Sequence, residues 1–186
     1  EVNASGSDYV GGLIGFNKGI NLDKVSAKGK VTGHNNVGGL VGLNQNSNIL
    51  NANTSATSTV TASGENIGGL IGNNYSASSN TYSITNSHAL GSVKVNSTGI
   101  VNVGGLIGYN QYSNLNNVSA ASDVTANIAS TSVVSIVSAG GLVGKNDGGA
   151  ISNSSATGNV IANFTAADVG GLVGLNKFGA ISNSST

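Results

Sequence analysis

The side chains that could carry acid–base or metal chemistry are few: Glu1, Asp8, Asp23, Glu65, Asp123, Asp147, Asp168, and the imidazoles of His34 and His88. Cleaving a glycan takes two carboxylates converging on one bond, and a zinc site takes three or four ligands. These nine residues do not group that way. Asp8 and Asp168 both precede a glycine block, but in the first and last units of an internal repeat; Asp123 lies inside a different block, and the two histidines fall in unrelated phases. With no Cys at all, thiolate sites and disulfide frameworks are excluded. The glycine-rich stretches are not phosphate cradles, since none ends in Gly-Lys-Ser/Thr or opens a helix. Nor do they match calcium-binding nonapeptide coils, which need Gly-Gly-x-Gly-x-Asp where this chain has Gly-Gly-Leu. The expectation is a non-enzymatic chain with no catalytic residues, no metal and no cofactor.

What, then, is the chain built to position? It has 186 residues, seven Lys+Arg against seven Asp+Glu, and only 8% charged residues, while 29 positions are Gly and none is Pro, Met or Trp. Zero net charge argues against a nucleic-acid surface. No apolar run approaches the roughly 18 residues of a membrane-spanning helix, so no membrane insertion is expected within this segment. Low charge combined with 38% hydrophobic residues speaks for folding rather than disorder.

One repeat dominates. A Gly-Gly-Leu-(Ile/Val)-Gly block places glycines at Gly11, Gly12, Gly15; Gly38, Gly39, Gly42; Gly68, Gly69, Gly72; Gly104, Gly105, Gly108; Gly140, Gly141, Gly144; and Gly170, Gly171, Gly174. The spacings between blocks are 27, 30, 36, 36 and 30 residues. An Asn follows two places after each last glycine: Asn17, Asn44, Asn74, Asn110, Asn146 and Asn176. A second block comes next, anchored by Ala27/Val31, Ala56/Val60, Ala89/Val93, Ala120/Val124 and Ala156/Val160.

Neither block has the sustained 3.6-residue spacing of an amphipathic helix. Short β-branched runs such as Val60-Thr61-Ala62, Ile100-Val101-Asn102-Val103 and Val133-Val134-Ser135-Ile136-Val137 suit strands. A unit of about 30 residues holding two or three short strands is one coil of a parallel β-solenoid. The expected fold is therefore all-β: a single repeat domain over 1–186, with about six coils starting near 10, 37, 67, 103, 139 and 169. At about 4.8 Å per coil the rod would be roughly 25–30 Å long.

Stacked coils place like on like. The glycines then form a ladder that marks a corner, a bulge or a close backbone approach. The Asn column forms a second ladder at a turn, each amide bonding to the next. Strict alternation lets only one of Leu13 and Ile14, or their equivalents, face the core, while a bulge at the glycines could admit both. Phe16 and Tyr109 fill the variable place before the Asn ladder, and Tyr75, Tyr82 and Tyr112 fall in longer insertions; core or loop packing is the plainer expectation for all five. Lys24, Lys28 and Lys30 read as a solvated face, and the single Thr57/Thr59/Thr61 run is not repeated in other coils, which argues against ice binding. Sequons at Asn3, Asn53, Asn74, Asn96, Asn117, Asn153, Asn163 and Asn183 are candidate glycan acceptors, although composition alone yields about six.

Two stretches identify a family resemblance. Val-Gly-Gly-Leu-Val-Gly-Leu-Asn at 169–176 followed by Gly-Ala-Ile-Ser-Asn-Ser-Ser at 179–185, and Gly140 to Gly158 with its Ile-Ser-Asn-Ser-Ser-Ala-Thr-Gly at 151–158, resemble the GLUG repeat. All six blocks share the pattern, so the resemblance covers essentially the whole chain. It departs where the family often has Tyr, a place filled here by Ser26, Ser55, His88, Ser119 and Ser155. GLUG repeats are found in large bacterial surface and secreted proteins, among them filamentous-haemagglutinin-like adhesins and immunoglobulin A1 metalloendopeptidases. In the enzymes the catalytic domain is separate and bears a zinc motif, and no His-Glu-x-x-His occurs here.

The resemblance implies a structural or adhesive segment of an extracellular surface protein. It would display loops, with 45–50, 75–83 and 125–138 as candidates, to a host or neighbouring-cell receptor or glycan, or stack end to end with copies of itself. The alternative is a carbohydrate-binding or carbohydrate-cleaving β-helix. Glu1 in place of Met, and no polar cap at either end, lead to the expectation of a piece of a longer solenoid or a filament subunit.

Overall fold

The computed structural model describes residues 1–78, 81–129, 137–164 and 167–186. Strands and turns make up all of the described residues, with no helix among them. Each turn of the chain has four sides. In the second turn, side one is Val37–Gly38, side two Val41–Gln45 and side three Ile49–Leu50; side four is kinked into Asn53–Thr54 and Thr59–Ala62. Sides one, two and three each stack six strands into a sheet, and side four gathers nine. The chain thus winds through five complete turns and most of a sixth, a parallel β-solenoid.

Register is strict. On side one Gly11 pairs with Gly38, Gly38 with Gly68, and so on through Gly104 and Gly140 to Gly170. Val31, Val60, Val93, Val124 and Val160 stack in the same way on side four. Pairing of this kind satisfies each strand's N–H and C=O groups from the turns on either side.

At the corner between sides one and two the structure settles which residue of the Leu-(Ile/Val) pair faces inward. Both do. Leu40, Val41, Leu70, Ile71, Leu106, Ile107, Leu142 and Val143 are all fully buried. The second glycine and the leucine form a bend rather than strand, so the period of two is interrupted there. The N–H groups of Leu40 and Val41 both donate to the Leu70 carbonyl, at 2.9 and 3.0 Å, and those of Leu70 and Ile71 repeat this on Leu106. Two successive amides that converge on one oxygen turn the chain and send two successive side chains into one interior.

The three glycines of each block answer to three different neighbours. A Cβ on Gly38 would strike the Val41 carbonyl oxygen of its own corner and lie 2.8 Å from the Gly72 nitrogen. One on Gly72 would lie 2.5 Å from the Val37 nitrogen of the turn before. One on Gly105 would strike the Gly141 carbonyl oxygen and come within 3.0 Å of the Ala120 Cβ across the core.

That last contact recurs, with Gly12 facing Ala27, Gly69 facing Ala89 and Gly141 facing Ala156. It pinches the cross-section into a waist. On one side lies a column of Leu40, Ile49, Ile71, Ile84, Leu106 and Leu115; on the other lies a column of Val37, Val60, Ile67, Val95, Val103 and Val124. The alanines are small because they sit at the waist.

The waist corrects one equivalence. In the second turn it is Thr54, paired with Ala27, that faces Gly39, and not Ala56. Between Thr54 and Val60 the chain makes an extra turn, with Ser58 N–H donating to the Ser55 carbonyl at 2.8 Å. For the same reason Asn53, paired with Ser26 and His88, and not Ser55, fills the place where the family often has Tyr.

The waist generates a pair of substitutions with opposite outcomes. Gly105→Ala, whose Cβ meets backbone, should destabilise the chain by about 3 kcal/mol. Gly6→Ala, with nothing within 4 Å, should stay within about 0.5 kcal/mol of the parent chain. Urea denaturation followed by circular dichroism measures both.

Candidate functional site

Side two ends in the sequence-predicted Asn column, and its amides join across every turn. Asn17 Nδ2 donates to Asn44 Oδ1 at 2.7 Å, Asn44 to Asn74 at 2.9 Å, Asn74 to Asn110, Asn110 to Asn146 and Asn146 to Asn176 at 2.8 Å each. The same nitrogen closes the local turn, donating to the carbonyl three residues on: Asn44 to Ser47, Asn110 to Ser113, Asn146 to Gly149. Asn44, Asn110 and Asn146 each give two hydrogen bonds and take one, and Asn74 gives one and takes one, which lets all four be wholly buried.

The structure adds ladders the sequence reading did not single out. After side three the backbone turns through the left-handed region at Lys24, Asn51, Asn86, Asn117, Asn153 and Asn183, with φ between 47° and 53°. Asn tolerates this conformation better than most residues. Asn117 Nδ2 donates to Asn86 Oδ1 at 2.8 Å, and Asn153 Nδ2 to Asn116 Oδ1 at 2.9 Å. Two shorter ladders join Asn102 to Asn66 and Asn66 to Asn36, and Asn163 to Asn127 and Asn127 to Asn96. The signal was an Asn two places beyond the side-three Ile or Leu (Ile49, Ile84, Leu115, Ile151, Ile181) in every turn but the first.

Of the candidate glycan acceptors, Asn74 is corrected: it is fully buried and its amide is engaged in the ladder. Asn3, Asn53, Asn96, Asn117, Asn153, Asn163 and Asn183 are exposed, the last four with amides donated to ladder neighbours. The three candidate display loops fare differently. Residues 45–50 form a tight turn that buries Ser47 and Ile49. In 75–83 Ala77 and Ser78 are exposed, and 79–80 lie outside the described residues. Of 125–138, Thr125 to Ile128 are strand on side four, Val137 and Ser138 are strand on side one, and 130–136, which include most of the Val133–Val137 run, lie outside the described residues.

The acids are dispersed. Asp8 Oδ1 lies 3.2 Å from His34 Nδ1 and accepts the Asn35 N–H at 3.2 Å. The hydrogen bond from His34, more than any other contact, holds the Asp8 carboxyl below its ordinary range. Asp23 accepts from Asn51, and Asp123 from the Asn159 N–H. Asp168 pairs with Ser138 on side one, in the column of Tyr9 rather than Asp8. His88 is half-buried, with Nδ1 2.8 Å from Ser119 Oγ. Lys30 Nζ lies 3.8 Å from Glu1 in an exposed pair, worth little energetically. Among the described residues no three His, Cys, Asp or Glu side chains come together.

Tyr82 and Tyr112 lie outside the strands, as expected, and the other three aromatics depart from the core-or-loop expectation. Phe16, Tyr75 and Tyr109 point outward from side two, and Phe16, half exposed, stacks on Tyr9 with ring centroids 5.9 Å apart. Lys145 Nζ sits 4.8 Å over the Tyr109 ring, and the Tyr109 hydroxyl donates to Asp147 Oδ2 at 3.4 Å. Partial burial, then the charge and hydrogen bond of Asp147, push the Tyr109 phenol up to about 12.

Family comparison matches the GLUG motif over residues 99–125 and 137–161. Two successive turns of the chain, the fourth and the fifth, match the GLUG motif. The matches start at or just before side one and end within side four, so each spans about one turn of the solenoid, and its glycines are the corner and the waist. A segment of 67 residues is 42% identical to halomucin of Haloquadratum walsbyi, covering 34% of this chain and 1% of that protein. The chain therefore spans about 1% of the length of that relative. No solved structure matches the fold.

Two outcomes follow from this geometry. Asn110→Ala removes the acceptor of Asn74, the donor to Asn146 and the bond to Ser113, and should cost about 4 kcal/mol in a urea melt, since each orphaned buried group costs about 1–3 kcal/mol. Because the folded-state value of Tyr109 is raised, its contribution to stability is whole below the ordinary phenol value of 10.0 and is lost as pH rises through about 12. Ultraviolet titration should show one late-ionising tyrosine, and Asp147→Asn should bring it earlier.

Proposed function

We propose that this solenoid is a structural and adhesive segment of an extracellular surface protein, a rod that holds functional surfaces away from the cell. The observation that carries this reading is that each GLUG match spans about one turn, so that length is the quantity the repeat encodes. The GLUG resemblance to large surface and secreted proteins supports the location, as does the similarity to a small part of halomucin.

In this reading the work is mechanical, and cofactors and catalysis play no part in it.

An antibody raised against this segment should label intact, unpermeabilised cells that produce it, and small-angle scattering should show an elongated particle. Labelling confined to permeabilised cells would overturn the proposal.

A further inference from the structure

We draw no further inference here: the strongest candidate, the surface patch of half-buried tyrosines Tyr75, Tyr109 and Tyr112 along and just past side two in the third and fourth turns, carries nothing because nothing in the structure shows what covers it.

Discussion

Everything in this molecule answers to one constraint: each residue lies beside its own equivalent in the next turn, at the spacing of a β-ladder. A residue type is admissible at a given place only if it tolerates a copy of itself above and below. Two like charges about 4.8 Å apart repel by roughly 3 kcal/mol at the effective dielectric of a protein surface. Charge is accordingly scarce, and in the described registers no charged residue pairs with a like one. Lys145 lies between Tyr109 and Leu175, Asp147 between Gln111 and Lys177, and Lys94 between Thr61 and Thr125.

Amides gain from the same arrangement that penalises charge. An Asn side chain has a donor and an acceptor at opposite ends of a short rigid group, so a column of them bonds head to tail with nothing left over. The inner Asn column goes further and spends its second N–H on the turn, tying the position of each corner to the stack as a whole. This is how a chain without cysteines fixes tight turns under a narrow core.

Much of this architecture was legible in the sequence, because a one-dimensional repeat projects directly onto a one-dimensional stack. The glycine blocks and the Asn column were read in register, and the structure pairs them so. Three things were hidden, each for a physical reason. The inward direction of both Leu40 and Val41 depends on a bend that suspends alternation, and periodicity alone does not reveal a bend. The equivalence of Thr54 with Ala27 was masked by the nearer Ala56, because a small residue facing Gly39 across the waist is a demand of packing, which no local pattern announces. The outward aromatics were mistaken for packing because composition treats an aromatic as core until a neighbour's geometry shows which way it points.

The waist has a bearing on how such a rod changes over generations. Because both partners of the pinch, the glycine and the small residue opposite, belong to the same turn or the one beside it, every contact that matters is local to adjoining units. Duplicating or deleting one whole unit in the gene would recreate the same junction with nothing left mismatched. Length can thus drift freely by unequal recombination while the cross-section stays frozen, giving a population of related molecules that differ in reach and in nothing else.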